Sequence, residues 1–247
     1  MRSEARDIHI RGVVQGVGFR PHVFRLAREH ALAGWVLNGD DGVRIHVEGA
    51  EDALDAFAGD LTAHPPPAAR IVAIDVEPAR VADLAGFEIR HSDSSGAPTT
   101  RIAPDLPVCD LCLREMLDPG DRHHRYPYIN CTNCGPRYSI VRALPYDREH
   151  TTMAGWPLCS ACAADYHDPD NRRFHAQPVA CPACGPDYVL IRSDAVGQGI
   201  HPDARRDTFG EDAIRTAAQL LCDGRILAVK GVGGYHLACD ADNAASV

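Results

Sequence analysis

Apolar residues along the first ninety positions follow the two repeats that distinguish strands from helices. Four segments alternate apolar and polar residues, as half-buried strands do: 8–14, 35–37, 43–47 and 72–76. In two intervening segments, 23–30 and 54–61, apolar residues recur at helical spacing, which predicts helices that bury one face. Phe87 and Ile89 add a short extended piece.

Turn residues separate these elements where the periodicity changes. Pro21 follows a glycine-rich turn and suits the first turn of a helix. Gly39 and Gly42 bound a hairpin turn, and the prolines at 65–67 end the second helix. The resulting order, βαββαβ, predicts an α+β sandwich of the ferredoxin-like type.

The rest of the chain has a polar stretch, a cysteine-rich region, a second polar stretch and a tail with regular helix and strand patterns. After the second polar stretch, apolar residues at helical spacing up to Leu221, with Gly224 as a stop, predict a helix followed by two strands. These elements cannot close a core, so we expect a truncated α/β domain and a chain that is part of a longer protein. The predicted division is a sandwich domain (1–91), a linker (92–107), a first cysteine module (108–143), a connector (144–158), a second cysteine module (159–190), a linker (191–207) and the truncated domain (208–247).

Charge and hydropathy narrow the possible surroundings of the protein. The formal net charge of -9 disfavours nucleic acid and anionic membrane as partners. The N-terminal residues include no apolar run of a signal peptide, and no segment is long and apolar enough to span a bilayer. We therefore expect a cytoplasmic protein. Thiols stay reduced in that compartment, so its ten cysteines suggest metal binding.

Eight of the cysteines form two copies of one pattern. Each copy has two CxxC pairs with eighteen residues between them, and the copies are offset by fifty positions. The predicted ligand sets are Cys109, Cys112, Cys131 and Cys134, and Cys159, Cys162, Cys181 and Cys184. Two CxxC turns can complete a tetrahedral four-thiolate site, which leaves no open position for catalysis. We expect two structural Zn²⁺ ions.

Three alternative arrangements of the cysteines stay open at this point. Disulfides would suit an oxidising compartment, an iron–sulfur cluster would favour clustered CxxCxxC spacing, and cross-braced pairing would draw ligands from both copies. With four thiols per site, nearby histidines are expected at the surface: His123, His124, His167 and His175. Cys222 and Cys239 have no partner at metal spacing and are expected to be buried, as is the strand-like run 226–230.

A glycine-rich turn between the first strand and the first helix suits an anion. Gly16 and Gly18 allow successive N–H groups to point inward, and the helix N-terminus adds partial positive charge. Arg20 follows, where its guanidinium could hold two phosphoryl oxygens. An ordinary glycine turn beside a surface arginine would have the same spacing, and a lone asparagine before Gly39 would be an ordinary turn residue.

The stretch GVVQGVGFR, followed by GWVLNGDDGVRIHVEG, closely resembles the acylphosphatase family over about residues 6–91. The resemblance implies that Arg20 binds the phosphoryl group and that Asn38 orients the attacking water. It also implies that backbone amides form the phosphate cradle: those of Gln15, Gly16, Val17, Gly18 and Phe19. An arginine and an asparagine are the kinds of group that this hydrolysis needs, because an acyl phosphate has a good leaving group and its hydrolysis requires charge stabilisation more than a strong base.

The tail sequence KGVGGYHLACD resembles the start of a YrdC-like domain, and the order of all three parts resembles the N-terminal portion of the HypF family. That resemblance implies hydrolysis of carbamoyl phosphate, with ATP as co-substrate of the full-length protein in forming a carbamoyl adenylate. It further implies carboxamide transfer to the C-terminal cysteine of a HypE-type partner, leading to the cyanide ligands of [NiFe]-hydrogenase iron. Lys230 would help to bind nucleotide phosphates, although no Walker loop is present and a surface lysine fits equally.

Two rival functions remain from the sequence. One is a stand-alone acylphosphatase with a zinc scaffold. The other is a zinc-ribbon protein that binds nucleic acid, which the basic residues of the cysteine region would suit: Arg122, Arg125, Arg137, Arg142, Arg172 and Arg173. The acidic total charge and the scarcity of interleaved aromatic residues count against the second.

Overall fold

The structure is a computed structural model that describes residues 3–93, 99–191 and 206–247. Parts of both predicted linkers therefore lie outside the described residues. The first domain has the predicted order of elements, with the short extended piece as a fifth strand. Its elements are β1 (Glu4–Val13), α1 (Phe19–Glu29), β2 (Ala33–Gly39), β3 (Gly42–Gly49), α2 (Glu51–Ala63), β4 (Arg70–Ala79) and β5 (Phe87–Ile89).

These strands form one sheet in the order β4-β1-β3-β2-β5. The pairs β1/β3, β1/β4 and β2/β3 are antiparallel, and β5 runs parallel to β2. Ile8 pairs with Ile45 on one side and Val76 on the other, which aligns the apolar positions of neighbouring strands. The helices pack on this apolar face, where Val23, Leu54 and Phe57 are fully buried.

Two glycines make the central hairpin possible. Gly34 has φ 145°, and a Cβ there would lie 2.0 Å from the His46 carbonyl oxygen. Gly42 has φ 150°, and a Cβ there would lie 2.1 Å from the Ile10 carbonyl oxygen. Side chains rarely adopt such φ values, so glycine lets β2 and β3 approach their neighbours closely. The hairpin places Asn38 opposite Val43, one pair before the turn at Gly39 and Gly42.

The cysteine region contains two short helices at equivalent places in the two copies, α3 (Asp110–Leu117) and α4 (Ser160–His167). Cys109 and Cys159 occupy the position directly before each helix. Two 3₁₀ turns, Arg148–His150 and Thr152–Gly155, lie in the predicted connector. Small apolar clusters surround each set of cysteines, and these clusters are separate from the sandwich core.

The last elements are β6 (Val189–Ile191), β7 (Arg206–Phe209), α5 (Gly210–Cys222), β8 (Leu227–Lys230) and β9 (Tyr235–Ala238). The predicted helix, its glycine stop and both strands are present, and Gly224 has φ 76°. The expected burial is wrong: Cys222 and Cys239 are exposed, and so is most of β8. In the described chain β8 pairs with β9 alone, and apolar side chains such as Leu237, at 81 % exposure, are left uncovered.

The longest helices of the described chain, α2 and α5, have 13 residues each. A bilayer crossing needs about 20 apolar residues. Within the described ranges, no helix has the length and apolar character to cross a membrane.

Candidate functional site

Each cysteine set converges on one point. Within each set the four Sγ atoms lie within 4.8 Å of one another. In the first set the Sγ atom of Cys131 lies 3.8 Å from those of both Cys109 and Cys134; in the second, Cys181 lies 3.7 Å from Cys159 and 3.8 Å from Cys184. A tetrahedral site with zinc–sulfur bonds of about 2.3 Å has sulfur–sulfur edges of about 3.8 Å, so both sets fit zinc. Each set comes from one copy, which argues against cross-bracing.

The two copies contact each other through equivalent arginines. Arg122 Nη1 donates to Cys162 Sγ of the second set at 3.1 Å, and Arg172 Nη1 donates to Cys112 Sγ of the first set at 3.0 Å. Arg122 also pairs with Asp165, and Arg172 pairs with Glu115. All three residue pairs are offset by fifty positions, so the contacts are reciprocal. Each cysteine set therefore receives a hydrogen bond from an arginine of the other copy, and this bond becomes charge-assisted when the sulfur is a thiolate.

One of the four histidines expected at the surface lies inside, and two are half-buried. His123 is buried, with its Nδ1 2.9 Å from an Asp121 carboxylate oxygen, and burial lowers its pKa. His175 lies near Arg20, and burial together with the Arg20 charge lowers the pKa of His175 to about 4. Histidine is common in both environments, so composition alone does not decide between them. His167 is exposed as predicted, and His124 is half-buried.

The glycine-rich turn bends at both of its glycines. Gly16 has φ 72° and Gly18 has φ 75°, both left-handed, and Gly18 directly precedes α1. Gln15, at the start of the turn, donates from Nε2 to the carbonyl oxygens of Gly39 at 2.7 Å and Gly42 at 2.9 Å. Its side chain thereby ties the turn to the β2–β3 hairpin that carries Asn38.

The side chains of Arg20 and Asn38 donate hydrogen bonds to the same backbone carbonyl oxygen. Arg20, in the first turn of α1 and 7 % exposed, donates from Nη2 to the Tyr146 carbonyl oxygen at 3.1 Å. Asn38, 1 % exposed, donates from Nδ2 to the same oxygen at 3.2 Å. The Tyr146 N–H in turn donates to Gln15 Oε1 at 3.0 Å. The structure thus brings the three polar side chains of the predicted site together around one peptide of the connector.

Sequence reasoning missed this contribution from the cysteine region. Arg20 pairs with Asp147 at 2.7 Å, and Ser92 donates to the same carboxylate. The signal is weak, because a backbone carbonyl carries no sequence signature and Tyr146 lies 126 positions from Arg20. Arg137, which the sequence suggests only as part of a basic surface, is buried and donates to the Gly16 carbonyl oxygen of the phosphate turn.

A small cavity lies at this junction. Its volume is about 30 Å³, enough to hold at least one water molecule. It is lined from both domains, by residues that include Gly16, Arg20, Asn38, Arg137, Tyr146 and His175. Asn38 Oδ1 is buried and has no hydrogen-bond partner among the described residues. An uncommitted acceptor therefore lies on the Asn38 side chain beside a buried guanidinium.

Comparison with known proteins agrees with this geometry. Residues 6–89 match the acylphosphatase family, and residues 108–141 and 158–191 each match the HypF finger family. The carbamoyltransferase HypF2 of Cupriavidus necator is 51% identical over 242 residues, which cover 97% of this chain and 29% of that protein. The chain belongs to the HypF family.

Solved structures of HypF proteins extend the agreement to three dimensions. A full-length HypF crystallised in its phosphate- and nucleotide-bound form superposes with a TM-score of 0.84 at 44% identity, over 97% of this chain and 30% of that one. The chain thus spans about three tenths of the length of the HypF proteins it matches. The acylphosphatase of Thermotoga maritima is 40% identical over 89 residues, 36% of this chain and 98% of that protein, so this chain carries an acylphosphatase domain.

The remaining predicted site residue, Lys230, belongs to the two-stranded sheet of β8 and β9 and not to the sandwich sheet. It is on exposed β8, with its Nζ 5.5 Å from the centre of the Tyr235 ring. The arginines that suggested nucleic-acid binding are largely used inside the HypF fingers. Arg137 and Arg173 are buried, and Arg122 and Arg172 join the two copies. These contacts disfavour a nucleic-acid interface.

Proposed function

We propose that the acylphosphatase domain of this chain hydrolyses carbamoyl phosphate to carbamate and phosphate. The observation that carries the proposal is the convergence of Arg20 and Asn38 on one small cavity beside a left-handed glycine turn. One group can hold negative charge and the other can hold a water. Family membership and the acylphosphatase match support the same reaction class.

In this proposal Arg20 and the turn bind the phosphoryl group. The backbone N–H groups from Gln15 to Phe19 precede and enter α1, so its N-terminus adds partial positive charge near the anion. The Arg20 guanidinium offers further donors to the phosphoryl oxygens. Charge that develops on these oxygens in the transition state is stabilised by groups already in place.

Asn38 orients the attacking water. Its Nδ2 donates to the Tyr146 carbonyl oxygen, which leaves Oδ1 to accept a hydrogen bond from the water. The water oxygen attacks phosphorus, the bond between phosphorus and the carbamoyl oxygen breaks, and carbamate leaves with the electron pair. A loose transition state of this kind needs no strong base, so an amide suffices.

We propose Zn²⁺ as the metal of both cysteine sets. Four protein thiolates fill a tetrahedral shell, so the ions are structural and take no part in the hydrolysis. The apolar clusters around the cysteines are small, so metal binding supplies much of the folding free energy of the fingers.

The wider reaction belongs to a complete HypF protein and is part of the same proposal. Carbamate would be activated with ATP as a carbamoyl adenylate, with Lys230 near the nucleotide phosphates. The carboxamide would pass to the C-terminal cysteine of a HypE-type partner and become a cyanide ligand of hydrogenase iron. The resemblance of the tail to a YrdC-like domain and the HypF relatives support this sequence.

Phosphate release from carbamoyl phosphate by the purified chain tests the hydrolysis. Arg20→Ala and Asn38→Ala are each expected to lower kcat/KM by at least about 100-fold, as losing a transition-state donor does. Arg11→Ala is the matched control, because Arg11 is an exposed arginine that pairs with Asp75 on the neighbouring strand. Wild-type turnover in Arg20→Ala would refute the site, and equal activity on aryl acyl phosphates would favour a general acylphosphatase.

A further inference from the structure

Arg20 is held by groups outside the acylphosphatase domain. Its Nη2 donates to Asp147 Oδ1 at 2.7 Å and to the Tyr146 carbonyl oxygen at 3.1 Å, and its Nη1 donates to Ser92 Oγ at 3.4 Å. A guanidinium has five N–H groups, so the described residues engage three and leave Nε–H and one Nη1–H for a ligand. The residues that engage Arg20 all lie beyond the stretch 6–89 that matches the acylphosphatase family.

The carboxylate that pairs with Arg20 is itself fixed. Ser92 donates to its second oxygen, so Asp147 is held from both sides. The next residue, Arg148, anchors the connector to the second finger by donating to the carbonyl oxygens of Gln177 at 2.6 Å and Val179 at 2.9 Å. The carboxylate therefore sits on a braced backbone.

An arginine at the start of a helix needs such a brace to act as an oriented donor. Its long side chain has many rotamers, and fixing one of them costs conformational free energy. A planar guanidinium binds phosphoryl oxygens well only when its plane and the oxygens are aligned. Among the described residues, Asp147 is the carboxylate in ion-pair distance of Arg20, and both side chains are mostly buried.

We propose that Asp147 is a positioning residue of the acyl phosphate site, which acts by fixing the plane of the Arg20 guanidinium. The proposal rests on the hydrolysis proposed above and adds a residue of the finger connector to it. The acylphosphatase domain then provides the guanidinium of Arg20, and the connector provides the carboxylate that orients this guanidinium. Asp147 acts only through Arg20 and does not touch the substrate.

If Asp147 competed with phosphate for Arg20, removing its carboxylate would change phosphate affinity in the opposite direction. A carboxylate that merely competed with phosphate for Arg20 would weaken anion binding, and its removal would tighten the binding of phosphate. A positioning carboxylate strengthens anion binding through alignment, so its removal weakens the binding of phosphate and slows turnover together. Inorganic phosphate affinity therefore separates the two roles.

The test measures kcat/KM for carbamoyl phosphate and, by titration calorimetry, the affinity for inorganic phosphate. Asp147→Asn is expected to lower kcat/KM by about tenfold or more and to weaken phosphate binding by about threefold or more, with melting temperature and zinc content unchanged. Asp75→Asn, which removes the carboxylate of the exposed pair with Arg11 at 2.7 Å, is expected to change neither quantity. Tighter phosphate binding, or wild-type values of both quantities, in Asp147→Asn would overturn the proposal.

A second variant and the phosphate-binding measurement distinguish failure of the Asp147 proposal from failure of the proposed hydrolysis. Ser92→Ala removes both a brace of the Asp147 carboxylate and a weak direct contact with Arg20, and it is expected to weaken phosphate binding by about twofold. If Asp147→Asn fails to fold, unchanged phosphate binding in Ser92→Ala would overturn the proposal. If the wild-type chain binds phosphate through Arg20 but does not hydrolyse carbamoyl phosphate, the proposed function fails. The phosphate affinities of the variants still decide the role of Asp147 in that case.

Discussion

Replacing Arg172 by alanine should weaken metal binding in the opposite finger. Arg172 belongs to the second copy, but its Nη1 donates to Cys112 Sγ of the first cysteine set at 3.0 Å. A four-thiolate zinc site carries net negative charge, and a guanidinium against one thiolate stabilises that charge. Without it, the first set should release its metal more readily while its own four ligands remain intact.

The magnitude follows from the bonds that are lost. Arg172 also donates to Glu115, but Glu115 keeps Arg173 as a partner, so the thiolate bond dominates the loss. A hydrogen bond to a charged group contributes about 1.5–3 kcal/mol, which corresponds to roughly a 10- to 150-fold decrease in metal affinity. Arg122→Ala should produce the mirror effect on the second set through Cys162.

The assay challenges the metal-loaded chain with increasing chelator and alkylates the thiols that become free. Mass spectrometry of the peptides then assigns the modification to one set or the other. Arg114→Ala, which removes an exposed arginine of α3, is the matched control and should behave as wild type. The reasoning would be refuted if Arg172→Ala released metal first from the set that begins at Cys159, or lost it from both sets at the same chelator concentration.

Two further predictions concern the stability of the sandwich domain. Burial disfavours protonated His46, but the hydrogen bonds of His46 to Glu48 and Asp7 outweigh burial and raise its pKa. Protonated His46 therefore stabilises the fold below the unfolded pKa of about 6.5, and this stabilisation is lost as pH rises through the pKa of the folded state. Urea unfolding should therefore show a stability difference between wild type and His46→Gln that is largest near pH 6 and shrinks toward pH 8.5; a constant difference would contradict it. Gly34→Ala should lower the free energy of unfolding by at least about 2 kcal/mol, because its Cβ would meet the His46 carbonyl oxygen in a left-handed conformation. Gly59→Ala in α2, where a Cβ would meet no atom within 4 Å, should be neutral or stabilising, and equal losses in both variants would refute the steric argument.

Local patterns were enough to predict the elements of the sandwich and the two cysteine sets. Alternation and helical spacing reflect which face of an element is buried, and this is a property of neighbouring residues. Each CxxC turn likewise places two potential metal ligands within four positions of the sequence. The division of the cysteines by copy followed from the repeat at fifty, and the structure groups the cysteines in the same way.

Contacts between distant segments could not be predicted in this way. Tyr146 lies 108 positions from Asn38 and contributes through its backbone carbonyl, which every residue possesses. The repeat showed that Arg122 and Arg172 are equivalent, but equivalence does not reveal that each contacts the other copy. The exposure of Cys222 and Cys239 depends on what packs over their elements, and composition alone does not determine that.

The reciprocal arginine contacts limit how the fingers can be arranged. Exchanging the two copies maps Arg122, Cys162 and Asp165 onto Arg172, Cys112 and Glu115, which is the self-complementary arrangement of a two-fold interface. Such an interface is satisfied by two members and offers no equivalent surface to a third. This pair of fingers is therefore a closed unit and not a segment of an extendable array.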